Sequence, residues 1–461
     1  MPSTNAVPSA TPGPTGDLRQ LVAAGRMAPF QWVVIAVCVL VNTLDGFDIQ
    51  VMAFTSNAVT KEWGLSGSQL GLLLSAGFVG MAAGSLIIAP FADRVGRRPI
   101  VLGCLVLAAV GMTLSSLSQS AVQLGLLRVL TGLGIGGILA SNTVIAGEYA
   151  SRKWHGMAIS LTATGYSVGA IVGGILSVTL QGSFGWRSVF LFGGIATVAV
   201  LLLAVALLPE SLDHLLTRQP ANALARVNRL AGRMGRPNLA ELPAPPPRTA
   251  KGVASGLAKL LGPQLRRSTL ILWTAFFLVL AGFYFVTSWT PRLLVEAGLT
   301  ASTGISGGVL INIGGLFGSV ALGAFTARFP MRKVVSVYLL TSAVMLALFI
   351  AATAALPLAL CVAVLIGLFL IGCVAGLYAL VSAVYDADVR STAMGTAVGI
   401  GRVGAIIAPI AAGALLDGGW TPTGLYIAIA VAFAATAVVL LFLRTADSSR
   451  KSAEVDPKVY A

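Results

Sequence analysis

Residues 69–118 read QLGLLLSAGFVGMAAGSLIIAPFADRVGRRPIVLGCLVLAAVGMTLSSLS. Two apolar runs, at roughly 69–91 and 100–118, flank a short loop that carries three arginines and one aspartate. A helix needs about 20 apolar residues to cross the hydrocarbon core of a bilayer. The pattern therefore predicts two membrane-crossing helices joined by a tight, charged loop.

The rest of the chain continues this pattern. Of its 461 residues, 56% are hydrophobic and only 10% are charged, whereas a soluble domain carries about 25% charge. Twelve apolar stretches follow one another, six within residues 29–208, the first at roughly 30–54, and six within residues 268–443, the first of these at roughly 268–290. The sequence predicts an all-α membrane protein with 12 transmembrane helices in two pseudo-symmetric six-helix bundles.

The remaining segments are polar and basic. We predict a disordered cytosolic tail over residues 1–28, a cytosolic linker with some amphipathic helix over residues 209–267 and a second cytosolic tail over residues 444–461. The net charge of +14 comes from loops, where basic residues orient a membrane protein, so no nucleic-acid partner is predicted. Most of the basic residues lie on the side of the membrane that holds the termini, which predicts that both termini are cytoplasmic. The predicted location is the inner (plasma) membrane.

The two halves are related by an internal repeat. Ala92-Asp93-Arg94 aligns with Thr326-Ala327-Arg328, and Gly185-Trp186 aligns with Gly419-Trp420, both at an offset of 234 residues. Two further stretches match: residues 167–171 align with 402–406 at an offset of 235, and residues 148–152 align with 386–390 at an offset of 238. A recurring offset predicts two parallel repeats with a substrate cavity where they meet at mid-membrane.

Two acids in the first span break this symmetry. Asp45 and Asp48 lie three residues apart on one helix face, whereas the matching stretch of the seventh span, 281–284, contains no acid. Ionisable groups inside a span mark ion pathways, and burial favours the protonated carboxyl. We predict that these acids carry protons; the alternatives are a hydrated helix end or an ion pair that only fixes packing.

Two arginines also fall inside predicted spans. Arg402 stands in the eleventh span where the fifth has Ser167. A guanidinium keeps its charge and matches a carboxylate bidentately, so we predict that Arg402 binds a substrate carboxylate; the alternative is a permanent internal salt bridge. We predict that Arg128 in the fourth span pairs with the first-span acids and couples proton release to helix movement. The alternative is that Arg128 is a purely structural cation.

Aromatic side chains in the spans could stack on a ring-bearing substrate. The candidates are Tyr166, Phe283, Tyr284 and Tyr378. Packing or anchoring at the membrane interface is an equally simple interpretation of each.

Charged helix ends on the side of the termini are candidate gates. An acid beside arginines can form ion pairs that break and re-form, as a two-state transporter needs; the alternative is charge that only sets orientation. The candidate gating residues are Asp93, Arg94, Gly96, Arg97 and Arg98 in the first loop, with Glu148, Arg152, Asp386 and Arg390 at two later junctions.

Cysteine and histidine, the usual metal ligands and nucleophilic or acid–base groups, do not cluster in this sequence. The four cysteines stand singly in apolar stretches, and the two histidines, His155 and His214, belong to separate cytosolic segments. We therefore predict no catalytic residue, no metal site and no cofactor, and hence a protein that is not an enzyme.

These motifs resemble a known family over residues 30–443. The loop Asp93-Arg94-Val95-Gly96-Arg97-Arg98 resembles the signature between helices two and three of the major facilitator superfamily, although Ala89 replaces its usual glycine. Four further stretches together resemble the aromatic acid:proton symporters of that superfamily: Asp45-Gly46-Phe47-Asp48, Pro209-Glu210-Ser211-Leu212, Ser288-Trp289-Thr290-Pro291-Arg292-Leu293-Leu294 and Gly401-Arg402-Val403-Gly404.

The resemblance implies specific roles. Asp45 and Asp48 match the family's helix-one acids, Arg128 and Glu148 its helix-four charged pair, and Arg390 and Arg402 its helix-eleven arginines. The implied function is import of benzoate-type and hydroxybenzoate-type anions with protons by alternating access, by a monomer. The alternatives are symport of another organic anion or a sugar-like solute, or a sensor that binds aromatic acids without transporting them.

Overall fold

A computed structural model describes residues 18–243 and 253–443, and the structure of these residues is helical. Twelve helices are long and apolar enough to cross a membrane. We number them α1 (Pro29–Trp63), α2 (Gly67–Ile87), α3 (Arg97–Ser115), α4 (Ala121–Glu148), α5 (His155–Phe184), α6 (Arg187–Leu207), α7 (Arg266–Glu296), α8 (Ala301–Thr326), α9 (Met331–Ala352), α10 (Leu356–Val384), α11 (Ala387–Asp417) and α12 (Pro422–Leu441).

Local sequence sets where several helices begin. Ser66 caps α2, because its hydroxyl accepts from the Gln69 backbone while the Gln69 side chain accepts from the Ser66 backbone. Ser120 and Thr300 cap α4 and α8 through their hydroxyls. Gly64, with φ +62°, ends α1 in the left-handed conformation that glycine adopts readily. The predicted membrane crossings are thus bounded by ordinary capping chemistry.

The helices pack in two six-helix bundles with matching internal contacts. In the first bundle α1 packs on α5, α2 on α4, and α3 on α6; six helices later α7 packs on α11, α8 on α10, and α9 on α12. Between the bundles, α2 packs on α11 and α5 packs on α8. This arrangement confirms the 12-helix, two-bundle fold class predicted from the sequence.

Glycines allow the closest helix contacts. A Cβ on Gly132 of α4 would lie 2.1 Å from the Gly77 carbonyl oxygen of α2, and one on Gly169 of α5 would lie 1.8 Å from the Thr43 oxygen of α1. Only glycine permits backbones to approach this closely. The glycine-rich stretch of the fourth span is therefore a packing surface.

One polar segment differs from the sequence prediction. The first 28 residues are predicted as a disordered tail, but Leu18–Ala24 forms a helix because Leu18 and Val22, one turn apart, are buried. The linker contains amphipathic helix as predicted: helices Leu212–Arg218 and Ala223–Arg233 add apolar side chains to the core of the first bundle. Residues 1–17, 244–252 and 444–461 of the predicted tails and linker lie outside the described residues.

The first and seventh spans extend further than predicted. Helix α1 reaches Trp63, whereas its apolar stretch predicts an end near residue 54, and α7 reaches Glu296 rather than residue 290. Polar residues at these ends continue the helix because they still pack against the other bundle: Arg292 of α7 donates to the Asn57 side chain at 2.7 Å. The extension places Asp48 in the middle of α1 instead of near its end.

The contacts between the two bundles are concentrated on one side of the molecule and at mid-depth. We call the side with the start of α1 and the end of α12 the terminal face, and the side with Trp63 and Gly67 the far face. Within the described residues, the hydrogen bonds between bundles run from the far face to mid-depth: Gly67 and Ser68 to Asp417, Asn57 to Arg292, Ser75 to Ile406, and Met81 to Arg402. Nearer the terminal face, a Cβ on Gly395 or Gly399 of α11 would meet no atom within 4 Å. The space between the bundles therefore opens toward the terminal face.

Candidate substrate and proton site

Asp48 and Arg128 form a buried ion pair within the first bundle. The Arg128 Nη1 donates to Asp48 Oδ1 at 2.8 Å, and the Arg128 and Asp48 side chains are 3% and 12% exposed. Arg128 Nη2 also donates to the hydroxyls of Ser115 and Thr131, and the guanidinium lies over the Phe190 ring at 4.9 Å. Arg128 thus pairs with a first-span acid, as the sequence predicts, and that acid is Asp48; the Arg128 Nε stays buried without a hydrogen-bond partner.

Asp45 has a different environment one turn before Asp48. It is 6% exposed, and its Oδ1 is buried without a hydrogen-bond partner. A void of about 20 Å³ between α1, α3, α4 and α6 is lined by both acids and by the hydroxyl-bearing Thr131 and Thr197. That volume is enough for about one water molecule. Asp45 is therefore the carboxyl of the pair that lacks a counter-ion in contact.

Arg402 extends from α11 of the second bundle toward the first. Its Nη1 donates to the Met81 carbonyl oxygen of α2 at 3.0 Å, and the residue is half-buried. Among the residues that the structure describes, no carboxylate forms a salt bridge with it. The guanidinium nevertheless interacts electrostatically with Asp45 and with the Tyr284 and Tyr378 hydroxyls. It is therefore available to an anion that enters between the bundles.

Aromatic side chains surround this cation. The Tyr284 ring lies 4.5 Å from the Phe78 ring and 4.9 Å from the Phe283 ring, centroid to centroid. Tyr378 of α10 packs edge-on against Phe276 and is 39% exposed. Phe78, Phe283 and Tyr284 thus form an aromatic cluster between α2 and α7, and Arg402 donates to the same stretch of α2 at Met81.

Tyr166 closes the site from the side of α5. Its backbone packs against Gly46 of α1, next to Asp45, and its hydroxyl is buried without a hydrogen-bond partner. The side chain interacts electrostatically with Asp45 and Tyr284. The structure thus brings together residues of α1, α5, α7, α10 and α11 that are distant in the sequence.

A separate charged network lies at the terminal face of the first bundle. Arg97 forms an ion pair with Glu148 and a longer contact of 3.5 Å with Asp93. Glu210 accepts from the backbone N–H groups of Arg97 and Arg98 at 2.8 Å and 3.1 Å. Glu148 lies 20 residues after Arg128 on α4, about 30 Å along the helix, so it belongs to this network and not to the mid-depth site.

The backbone conformation of the loop between α2 and α3 requires glycine at position 96. Gly96 has φ +115°, and a Cβ there would lie 2.6 Å from the Glu210 carboxylate. Arg94 stacks over the Phe91 ring at 5.9 Å, and Arg98 donates to the Val205 carbonyl oxygen. The loop is thus fastened to the ends of α4 and α6 within one bundle.

The other candidate gating residues are not joined to this network. Arg152 and Asp386 are exposed, and Arg390 donates to the Tyr385 carbonyl oxygen beside it. Within residues 18–243 and 253–443, the side chains of these three residues form no salt bridge. Their gating role stays a prediction for a conformation in which the bundles meet at the terminal face.

Sequence reasoning missed three contributors to these sites. Phe78 and Met81 of α2 look like ordinary apolar residues of a span, and only the packing of α2 on α11 brings them to Tyr284 and Arg402. Glu210 stands out in the sequence only as part of a family motif. An acid directly after a span on the basic side of the membrane is the signal that could have identified its capping role.

Comparison with known proteins identifies the family. The model of the Major Facilitator Superfamily matches residues 36–375 and 312–459. The chain belongs to this superfamily. It is therefore a secondary transporter of the membrane and not an enzyme, as the sequence predicts.

Individual relatives agree with this assignment. A gallate transporter of Pseudomonas putida is 32% identical over 407 residues, 87% of this chain and 89% of the relative. A 4-hydroxybenzoate transporter, PcaK of Acinetobacter baylyi, is 29% identical over 93% of this chain and 94% of its own. The crystal structure of a D-xylose-proton symporter superposes with a TM-score of 0.70 at 16% identity, covering 89% of this chain and 97% of that one. The predicted resemblance to aromatic acid transporters is confirmed.

Proposed function

We propose that this protein imports aromatic carboxylates of the benzoate or hydroxybenzoate type together with protons. One arrangement carries the proposal: Arg402 of the second bundle reaches α2 of the first beside a cluster of aromatic side chains, and Asp45 of the first bundle is buried at mid-depth with its Oδ1 unpartnered. Neither charge has an ion-pair partner in contact among the described residues, so both are available to ligands. The gallate and 4-hydroxybenzoate transporters among its relatives support the same substrate class.

The chemistry divides between the two charges. Arg402 supplies two parallel N–H donors that fit a carboxylate, and its positive charge offsets the cost of taking that anion out of water. Asp45 takes up a proton, because an unpaired carboxylate in an apolar site is unfavourable. An anion and a proton then cross together without net charge in the site.

Alternating access follows from the contacts between bundles. The far face is held closed by the Asp417 carboxylate, which accepts from the backbone of Gly67 and Ser68 at 2.7 Å and 2.8 Å. The positive-inside rule predicts a cytoplasmic terminal face, and in that orientation the space between the bundles opens toward the cell interior. Closure of the terminal face and opening of the far face would expose Arg402 and Asp45 to the outside.

The charges of the site disfavour a neutral substrate. The likeness to the D-xylose-proton symporter, at 16% identity, concerns the fold alone. A half-buried arginine without a carboxylate partner would gain no compensating negative charge from a sugar. Another organic anion stays the main alternative within transporters, and binding without transport is the alternative from another class.

The test is uptake by purified protein in proteoliposomes. Labelled benzoate, 4-hydroxybenzoate, a short aliphatic acid and D-xylose are supplied outside, with and without a pH gradient that is acidic outside. We expect accumulation of the two aromatic acids only with the gradient, above the leak of protein-free vesicles. Preferential accumulation of the aliphatic acid or the sugar would refute the substrate class, and binding without counterflow would indicate a sensor.

A further inference from the structure

Two amide side chains are buried at mid-depth without complete hydrogen bonding. Gln50 of α1 is 1% exposed, and neither its Nε2 nor its Oε1 has a partner. Asn312 of α8 is fully buried; its Nδ2 donates to the Gly308 carbonyl oxygen at 2.9 Å, but its Oδ1 has no partner. A buried polar group without a hydrogen-bond partner is destabilising, so two such groups at one level of the interface point to a function.

The neighbours of Gln50 place it at the interface between bundles. One turn before it, Gly46 touches the backbone of Tyr166 on α5. One turn after it, the Phe54 ring lies against Gly174 of α5 and Gly308 of α8. Residues four apart share a helix face. Gln50 therefore lies on the face of α1 that meets α5 and the second bundle.

Asn312 lies at the same level on the opposite wall. Helix α1 runs from the terminal face to the far face, and α8 runs the other way. The contact of Phe54 with Gly308 fixes their register, and each amide stands four residues closer to the terminal face than its own contact residue. Gln50 and Asn312 thus approach the same space from different bundles.

This level lies just beyond the charged site. Gln50 is five residues after Asp45, about 7.5 Å along α1, and toward the far face. A ring whose carboxylate is bound by Arg402 can therefore point its other end at the two amides. The three unpaired atoms offer one donor, Nε2, and two acceptors, Oε1 and Oδ1, whereas a phenolic hydroxyl offers one donor and accepts in return.

We propose that Gln50 and Asn312 recognise a hydroxyl group on the aromatic ring and make the protein selective for hydroxylated benzoates. The inference rests on the proposed function, because it assumes an aromatic carboxylate bound at Arg402. The hydroxyl donates to an amide oxygen and accepts from Nε2 of Gln50. A ring without that hydroxyl leaves buried amide atoms unpaired, which is how polar sites reject such analogues.

The experiment measures competition between 4-hydroxybenzoate and benzoate for uptake in proteoliposomes. Two independent variants, Gln50→Leu and Asn312→Leu, remove one amide each at similar volume, and size-exclusion profiles verify that each is folded. We expect each variant to lower the preference for 4-hydroxybenzoate over benzoate about tenfold or more. The matched control is Gln181→Leu on α5, whose amide already donates to the Phe54 and Ser177 carbonyl oxygens; its preference should equal that of the unmodified protein.

The outcomes separate this inference from the proposed function. If the unmodified protein transports neither aromatic acid, the proposed function fails and the inference fails with it. If it transports both acids and either folded variant keeps the original preference, the inference alone is refuted. Equal losses for both substrates would show that the amides only hold the bundles together, which also overturns it.

Discussion

The two acids of α1 stand three residues apart but belong to different electrostatic environments. Asp48 faces a cation of its own bundle, and Arg128 is further held by two hydroxyls and an aromatic ring. Asp45 has no cation in contact among the described residues, and the cation that acts on it from the other bundle, Arg402, does so without a direct contact. A pair inside one bundle keeps its geometry when the bundles move. A pair across bundles changes its geometry whenever they do.

This difference assigns the two pairs different tasks. We expect the pair within the bundle to stabilise the first six helices, and the charges across the interface to respond to ligands and to conformation. The same division holds at the two faces: the Arg97–Glu148 pair fastens helix ends within one bundle, whereas Asp417 joins one bundle to the other. Charged contacts between bundles are therefore the places to look for gating.

The largest effect is expected from breaking the pair within the bundle. Arg128→Met leaves Asp48 buried and uncompensated, which costs about 3 to 5 kcal/mol of stability. The loss of stability is measured as the decrease in the thermal unfolding midpoint in detergent, with size-exclusion chromatography as the readout of unfolding. The matched control is the double variant Asp48→Asn with Arg128→Met, which should recover most of it. A single variant as stable as the unmodified protein would show that the pair is not structural.

The second-largest effect is expected from replacing Arg402, which should weaken substrate binding. Arg402→Ala should weaken binding of 4-hydroxybenzoate about 30-fold, and Arg402→Lys about tenfold, because lysine keeps the charge but loses the bidentate geometry. Since Arg402 lacks a carboxylate partner among the described residues, neither change should lower the unfolding midpoint as Arg128→Met does. Equilibrium binding to purified protein checks this order, and unchanged affinity in both variants would remove Arg402 from the site.

The smallest effect is expected at the far face. Asp417→Asn weakens the cap on the first N–H groups of α2 and favours opening of this face about two- to fivefold. The labelling rate of Leu65→Cys by a membrane-impermeant maleimide reports that opening, in a Cys361→Ser background because Cys361 is exposed. An unchanged or slower rate would contradict a latch at Asp417.

The fold was largely predictable from the sequence because hydropathy alone locates the helices. Their ends were less predictable: α1 and α7 continue past their apolar stretches because polar residues such as Asn57 and Arg292 bond across the interface. The helix at Leu18–Ala24 was missed because only two of its side chains are buried, too few to give a hydrophobic pattern.

The site was predictable only in its charges. Asp45, Asp48, Arg128 and Arg402 are conspicuous because a charge inside a span is costly. Which acid pairs with which arginine depends on tertiary packing that helical spacing does not contain. Gln50, Phe78 and Asn312 carry no charge and look like other residues of a span, so only the register of α1, α2 and α8 reveals them.

The most direct test of the central claim measures proton movement with the substrate in proteoliposomes. A pH electrode records the weakly buffered outside medium when 4-hydroxybenzoate is added, and protein-free vesicles serve as the control. The account predicts alkalinisation outside with the unmodified protein. For Asp45→Asn it predicts no more alkalinisation than protein-free vesicles give, although labelled substrate still exchanges in counterflow. Alkalinisation by Asp45→Asn equal to that of the unmodified protein would contradict the assignment of the proton to Asp45.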